Sequence, residues 1–203
     1  MMFDDSLLTE FTLADTLIAG VDEVGRGSLF GSVVAATVVV PLSELSRLIE
    51  IGVKDSKKLS AKKRRELVPL IKQVASDCQI SFASAAEIDE LNILQASLLA
   101  MKRSVLELKV TPDICLIDGK FLIPDLFLVQ KEVIKGDLRS PVIAAASIIA
   151  KVWRDELIIR LAEKYPEYDL AKNKGYPTAA HRLAIQKYGI TSEHRRSFKS
   201  CQI

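Results

Sequence analysis

Four acidic residues of this 203-residue chain lie in or just after apolar segments, a pattern that suggests one shared site. Asp22 and Glu23 are adjacent, Asp118 directly follows residues 114–117, and Asp137 comes shortly after another apolar run. Because a charge is costly to bury unless it is paired or bound to metal, these carboxylates are candidate metal ligands. Each also has a simpler interpretation alone: a solvated strand end for the pair, an Asp-Gly turn for Asp118, and an ordinary loop position for Asp137.

Convergence of these carboxylates would require a cation between them. Two carboxylates about 4 Å apart repel by roughly 4 kcal/mol at an effective dielectric constant of about 20. Two divalent ions held between them form the usual arrangement for in-line cleavage of a phosphodiester, in which one activates water and the other stabilises the leaving oxygen. The quartet therefore predicts a two-metal nuclease.

Histidine and cysteine are too scarce for other common metal sites. The chain has two histidines, His181 and His194, and three cysteines without metal-type spacing, Cys78, Cys115 and Cys201. A zinc site or a disulfide framework is therefore not expected. Carboxylate ligands favour hard cations, so the predicted cofactor is Mg²⁺ or Mn²⁺, with two ions during catalysis.

Charge is distributed unevenly along the sequence. The charged residues within 1–30 are mostly acidic, whereas residues 54–65 and the region from residue 151 onward are rich in lysine and arginine. Basic runs are often only solvated helix faces. Basic regions on either side of an acidic centre also suit a nucleic-acid backbone lying over bound metal ions.

Composition and hydropathy predict a cytoplasmic, monomeric protein with one catalytic domain, residues 1–203. Apolar residues make up 49% of the chain, which is enough for a sizeable core. The longest apolar run, Val33–Val40, is far shorter than the roughly 20 residues of a membrane span. The N-terminus lacks the basic and apolar regions of a secretory signal.

Strands and helices alternate after an initial hairpin, which predicts an α/β domain with a central mixed β-sheet flanked by helices. A small helical segment, about 166–203, is expected to pack on it. Strands are predicted over 17–24, 32–40, 79–85, 114–117 and 126–134, and helices over 61–76, 91–108, 147–164 and 179–188.

Two local irregularities are predicted. Pro69 should kink or break the helix that Ser60 caps, because proline removes a helical hydrogen bond. The first strand should end or bulge near Asp22, because neighbouring strand residues such as Asp22 and Glu23 point to opposite faces. The alternative is that the longer glutamate side chain reaches round the strand.

Eight short segments form an ordered set of motifs between about residues 18 and 198. They are Asp22–Gly27 (DEVGRG), Asp55–Ser60 (DSKKLS), Glu87–Leu94 (EIDELNIL), Leu116–Gly119 (LIDG), Lys135–Asp137 (KGD), Ala145–Val152 (AASIIAKV), Lys174–Thr178 (KGYPT) and His194–Phe198 (HRRSF). Each motif is weak alone, but the ordered set is very specific. It resembles bacterial ribonuclease HII.

That resemblance implies a ribonuclease H-like fold and an endonuclease that acts on RNA–DNA hybrids or on ribonucleotides embedded in duplex DNA. Such an enzyme cuts on the 5′ side of the ribonucleotide and leaves 3′-hydroxyl and 5′-phosphate ends. The implied catalytic and metal-binding residues are Asp22, Glu23, Asp118 and Asp137. The implied substrate-binding residues are Gly25, Arg26 and Gly27 at the 2′-hydroxyl, Lys57 at a phosphate, and Tyr176 at the sugar of the next nucleotide.

Some features differ from that family or are left open. Ser28 stands where many members have proline, which predicts a looser loop after Gly27. His194, Arg195 and Arg196 are expected either to contact the duplex or to anchor the C-terminus. The competing interpretations are a ribonuclease HIII-like enzyme, a catalytically silent nucleic-acid-binding module and a small-molecule metal phosphatase.

Overall fold

Five strands and eight α-helices are formed by residues 3–9 and 13–202, the part of the chain that the computed structural model describes. The strands are β1 (Leu17–Val24), β2 (Val33–Pro41), β3 (Asp77–Ala83), β4 (Ile114–Asp118) and β5 (Gln130–Val133). The helices are α1 (Leu45–Glu50), α2 (Ala61–Val74), α3 (Ala85–Leu91), α4 (Ile93–Leu106), α5 (Gly136–Arg139), α6 (Pro141–Lys164), α7 (Leu170–Asn173) and α8 (Ala179–Tyr188).

The strands form one mixed sheet in the order β3-β2-β1-β4-β5. β1, β2 and β3 are joined by antiparallel pairing, whereas β4 is parallel to both β1 and β5. Helices cover both faces: α6 packs on β1 and β2 from one side, and α4 packs on β2 and β3 from the other. The predicted α/β architecture is confirmed.

The valine-rich β2 is buried along nearly its whole length because both of its faces are covered. Side chains therefore alternate between two apolar clusters, one against α6 and one against α4. α6 comes unusually close to the central strand at Gly20, where a Cβ atom would lie 2.4 Å from the carbonyl carbon of Val142. This close approach places the first half of α6 over the end of β1.

The C-terminal helical segment packs on the domain through a third apolar cluster. Phe30, Ile158, Tyr168 and Ile185 are buried together there. The cluster joins the loop after β1 to the second half of α6 and to α8, so the C-terminal segment supports that loop from behind. No helix in the described residues is long and apolar enough to cross a membrane.

Strand β1 and the capped helices follow the sequence closely. β1 has the predicted bounds. Ser60 accepts a hydrogen bond from the Lys63 amide at the start of α2, and Thr178 caps α8, which ends at Gly189 as predicted.

The helix does not break at Pro69, because α2 continues from Ala61 to Val74 with Pro69 inside it, whereas a kink there stays a prediction. Pro69 is exposed, so water can satisfy the Arg65 carbonyl that loses its helical partner. Meanwhile Leu67 and Ile71 are fully buried on the opposite side. Burial of this apolar face holds the helix together across the proline.

Three predicted element boundaries are also wrong. The helix expected over 91–108 is divided, because Asn92 has a positive φ of 71° and caps α4. α6 begins at Pro141 and not at 147. Its first ten residues are all buried, so the sequence there shows no polar face from which a helix could be predicted. The strand expected over 126–134 is limited to Gln130–Val133, because the residues before it form a loop.

Candidate active site

Asp22 and Asp118 are brought together by parallel pairing of β1 with β4. The register places Val21 opposite Ile117, so the next residue of each strand is an aspartate. Their side chains belong to the face of the sheet that α6 covers, because Ile18 and Ile114 of the same alternation pack in the α6 cluster. Two carboxylates therefore meet at one sheet edge.

Glu23 belongs to the opposite face of β1 and still reaches the same site. One carboxylate oxygen from each of Asp22, Glu23 and Asp118 lies within 4.8 Å of the other two. The predicted bulge is wrong, because β1 keeps its regular pairing with β2 through Glu23–Ala35 to Val24. The ladder with β4 ends one residue before Asp22, which leaves the glutamate room to turn round the strand end.

The freed amide at this strand end has a local partner. The Glu23 N–H donates to Oδ1 of Asp22 at 2.7 Å, a contact that orients the Asp22 carboxylate. Ser147 of α6 lines the same cleft, and its hydroxyl lowers the pKa of Asp22. Sequence patterns gave no reason to select Ser147 beyond its place in the Ala145–Val152 motif.

Burial and mutual repulsion disfavour the ionised forms of the three carboxylates. Burial raises the pKa of Asp22 well above its usual range, and the charges of Glu23 and Asp118 raise it further. Burial likewise raises the pKa of Glu23 and that of Asp118. An all-oxygen, charge-repelling cluster fits a hard divalent cation, which would remove the repulsion and favour the ionised forms.

Asp137 lies in the same cleft but outside this three-carboxylate group. It follows Lys135, which adopts a left-handed conformation, and Gly136, whose N–H donates to Oδ1 of Asp118 at 2.6 Å. The Asp137 carboxylate itself pairs with Lys57, Nζ to Oδ2, at 3.1 Å. The structure thus brings together three of the four predicted ligands and places the fourth beside them, against a lysine.

The cleft is lined by acidic residues and by basic residues. Its lining residues are Asp22, Glu23, Val24, Ser56, Lys57, Arg64, Asp118, Asp137, Ser147, Lys151 and Tyr176. Tyr176 is half-buried, and the ammonium group of Lys151 lies 5.5 Å from its ring centroid. The carboxylates, Lys57 and Tyr176 therefore face one common space.

Residues 25–32, here called the Gly-Arg-Gly loop, continue directly from β1 to the rim of this cleft. Gly25 has a φ of +95°, a conformation that strongly favours glycine. A Cβ at Gly27 would meet no atom within 4 Å, so packing does not demand glycine there. Arg26 points back to the cluster, with Nη1 3.2 Å from Oε1 of Glu23.

Ser28 and Arg195 anchor the same loop from inside. Ser28 is fully buried and donates its hydroxyl proton to the Phe30 carbonyl at 3.0 Å. These contacts oppose the expectation that a serine loosens this turn. Arg195 is also fully buried and bonds the Arg26 carbonyl at 2.9 Å, so this residue of the His194–Phe198 motif has an internal, structural position.

Two more residues of that motif make contacts within the protein. His194 is buried against His181, and the Arg196 amide donates to Asp89 of α3 at 2.9 Å. Of the two expectations, contact with the duplex or anchoring, the contacts of His194 and Arg195 fit anchoring, whereas the Arg196 side chain is exposed and its role stays open.

Comparisons with known proteins agree with this geometry. The family model described as Ribonuclease HII matches residues 19–201. The protein named Ribonuclease HII from Trichodesmium erythraeum is 61% identical over 186 residues, which cover 92% of this chain and 88% of that protein. This match spans nearly the whole chain.

Two solved structures share the fold. The ribonuclease H2 from Pyrococcus horikoshii OT3 has a TM-score of 0.78 at 28% identity, with 92% of this chain and 96% of that one covered. Bst-RNase HIII in complex with Mn²⁺ has a TM-score of 0.73 at 19% identity, and only 70% of its chain is covered. The second likeness concerns the fold alone, so the ribonuclease HIII alternative is not favoured. The ribonuclease H-like fold is confirmed, and the chain belongs to the ribonuclease HII family of metal-dependent, hydrolytic endoribonucleases that act on RNA–DNA hybrids.

Proposed function

We propose that this enzyme hydrolyses the phosphodiester on the 5′ side of a ribonucleotide, in RNA–DNA hybrids or in ribonucleotides embedded in duplex DNA, and leaves 3′-hydroxyl and 5′-phosphate ends. The observation that carries the proposal is the position of the Gly-Arg-Gly loop immediately after the carboxylate-bearing end of β1. A loop with open backbone at Gly27 would lie beside the bond that is hydrolysed at the carboxylate cluster.

Asp22, Glu23, Asp118 and Asp137 are the proposed ligands for two Mg²⁺ or Mn²⁺ ions. The first three already supply oxygens within 4.8 Å of one another, and Asp137 lines the same cleft. When bound, such ions activate a water molecule for in-line attack and stabilise the leaving oxygen. The backbone contact from Gly136 to Asp118 keeps one of these carboxylates fixed while the substrate enters.

Recognition of the ribonucleotide is assigned to the backbone and to Tyr176. The 2′-hydroxyl alone separates RNA from DNA at one nucleotide, and glycine allows main-chain amides to approach it closely. Gly25, Arg26 and Gly27 would supply that contact. Tyr176, at the other side of the cleft, would pack against the sugar of the next nucleotide.

Lys57 is proposed to bind a substrate phosphate. Its side chain is 81% exposed and already lies at the mouth of the cleft, paired with Asp137. Burial alone would lower its pKa, but the hydrogen bond and charge of Asp137 raise that pKa, so Lys57 stays cationic. Transfer of this cation to phosphate would leave Asp137 available to a metal ion.

One assay tests the proposal directly. The protein is incubated with Mg²⁺ or Mn²⁺ and an end-labelled DNA duplex that contains a single ribonucleotide, beside an all-DNA duplex and a continuous RNA–DNA hybrid. We expect one cut, 5′ to the ribonucleotide, with a 3′ end that a polymerase extends. An uncut ribonucleotide duplex, equal cutting of the all-DNA duplex, or a cut on the 3′ side would contradict the proposal.

A further inference from the structure

Two arginines are completely buried beneath the Gly-Arg-Gly loop. Arg154 of α6 and Arg195 both have 0% of their surface exposed. Burial of a guanidinium is costly unless its donors are satisfied. For Arg154 the acceptors are the main-chain carbonyls of Phe30, Ser32 and Lys174 and the hydroxyl of Ser28. For Arg195 they are the carbonyls of Arg26 and Gly31.

Arg154 contacts both sides of the proposed recognition site at once. Its Nη2 lies 2.8 Å from the Ser28 hydroxyl in the Gly-Arg-Gly loop, and its Nη1 lies 3.0 Å from the Lys174 carbonyl. Its guanidinium carbon lies 5.6 Å from the ring centroid of Tyr176, within range of a cation–π contact. One rigid planar group therefore spans the loop and the segment that carries the tyrosine.

Two glycines allow the backbones to close on this group. At Gly25, a Cβ atom would lie 2.2 Å from Nε of Arg154. At Gly175, a Cβ atom would lie 2.6 Å from the Ser28 hydroxyl and 2.9 Å from the Phe30 carbonyl. The loop and the Gly175 segment thus come into close contact, with the Leu29 amide bonded to the Gly175 carbonyl at 2.8 Å, and Arg154 lies where they meet.

We propose that Arg154 is a positioning residue that sets the spacing between the Gly-Arg-Gly loop and Tyr176, and so determines how well a lone ribonucleotide is recognised. This inference rests on the proposed function, in which the loop reads the 2′-hydroxyl and Tyr176 packs on the next sugar. Arg195 supports the loop from its other side, but it does not contact the Tyr176 segment directly in the hydrogen bonds described above.

Arginine suits this role better than lysine. Its planar group directs donors toward several acceptors in fixed directions, whereas an ammonium is a compact charge on a flexible stem. Arg154 uses Nε, Nη1 and Nη2 to reach three carbonyls, two in the Gly-Arg-Gly loop and one at Lys174. R154K would keep the charge and release most of these contacts, so it separates geometry from electrostatics.

A double-mutant cycle with R154K and Y176A tests the inference. The kcat and KM of each variant are measured on the single-ribonucleotide duplex, and Mn²⁺ binding to the free protein is followed by electron paramagnetic resonance. We expect R154K to lower kcat/KM by about tenfold, less than the roughly 100-fold that a 1 Å misplacement can cost. Y176A should then cost much less in the R154K background than in the wild type, while Mn²⁺ affinity stays within about twofold.

The controls make each outcome decisive. Glu163, exposed on the same helix, is replaced in E163Q, which should cut at the wild-type rate. If R154K does not fold, S28A replaces it in the cycle, because it removes one Arg154 contact and little volume. Additive losses, an unchanged kcat/KM or a parallel loss of Mn²⁺ binding would overturn the positioning role. A wild-type protein that does not cut the ribonucleotide duplex would instead contradict the proposed function itself.

Discussion

Lys57 and Asp137 form an ion pair across the active-site cleft, with Nζ 3.1 Å from Oδ2, although Lys57 is 81% exposed and Asp137 is buried. The lysine is therefore anchored on one side and open to a ligand on the other. K57Q should weaken substrate binding about tenfold and reduce the dependence of log affinity on log salt concentration by about one, because one phosphate contact is lost. Binding of a non-cleavable duplex at several salt concentrations measures both.

A matched control for this prediction is K58Q in the same short turn. Lys58 is exposed, so its loss should change affinity much less than that of Lys57. Equal effects of the two substitutions would mean that Lys57 contributes only to the general field of the basic stretch.

Asp118→Asn should abolish turnover and leave substrate binding largely intact. The asparagine keeps the oxygen that accepts from the Gly136 amide, so the loop geometry is preserved. It also removes one of the charges that raise the pKa of Asp22, so the metal-free protein should become more stable. A gain of 1 kcal/mol corresponds to a rise in Tm of about 2–4 °C for a domain of this size. Activity that survives in Asp118→Asn would refute the metal assignment.

Tyr176 should act through its ring and not through its hydroxyl. Y176A should slow single-ribonucleotide cleavage by about tenfold or more, because it removes the apolar ring that packs on the sugar, and burial of such a side chain contributes about 1.5–3 kcal/mol. Y176F, which keeps the ring, should cut nearly as fast as the wild type. Initial rates for both variants give the comparison, and a large loss in Y176F would point to the hydroxyl instead.

Pro69→Ala should stabilise the enzyme without a change in activity. The proline lies inside α2 on its exposed side, where alanine restores a helical hydrogen bond. A proline in a helix interior costs about 3 kcal/mol relative to alanine, of which about 1 kcal/mol is offset by its stiffening of the unfolded chain. Urea unfolding should therefore show a gain of about 1–2 kcal/mol. Pro141, at the first position of α6, is the control, since its replacement by alanine restores no bond.

The buried pair of His181 and His194 predicts a loss of stability on acidification. The Thr191 amide donates to Nδ1 of His194, so Nε2 carries the proton and donates to Nε2 of His181 at 3.2 Å. The Nδ1–H of His181 then donates to the Tyr176 carbonyl, which leaves both rings neutral. Burial, with a smaller contribution from the neighbouring His181, lowers the pKa of His194 from 6.5 to about 4.

Since only the unfolded state takes up this proton between pH 6.5 and about 4, the contribution of His194 to folding stability is fully present above pH 6.5 and is lost as the pH decreases through that window. H194Q should show a shallower decline in the free energy of unfolding over the same range, measured by urea titration at several pH values. An identical slope in the variant and the wild type would show that the decline comes from other groups.

The sequence predicts the carboxylate ends of β1 and β4 well because apolar runs of the right length precede them. It left open whether the strand bulges or Glu23 reaches round a regular strand, since this depends on β4 pairing no further than Val21. The length of β5 could not be predicted either. The Gln130 side chain bonds the backbone of Ile123 and Leu126, and these bonds hold the apolar stretch before β5 as a loop although its sequence resembles a strand. These outcomes depend on contacts between residues that the local pattern does not contain.

The start of α6 and the role of Arg154 were missed for a related reason. The first ten residues of α6 are buried on all sides, so they show no helical alternation of polar and apolar residues. Arg154 follows the Ala145–Val152 motif and reads as one more basic residue of the C-terminal region. Only its complete burial against the Gly-Arg-Gly loop distinguishes it from the solvated arginines.

The central place of β1 in the sheet has a consequence for hydrogen exchange. Residues Ile18–Val21 are paired on both sides, with β2 and with β4, and the carboxylates follow at once. Amides so enclosed exchange with solvent mainly through unfolding of the whole domain, whereas loops and frayed ends open locally. Two of the proposed catalytic carboxylates, Asp22 and Glu23, therefore lie on what should be the slowest-exchanging strand of the protein, so heating should leave their positions intact until the sheet itself unfolds.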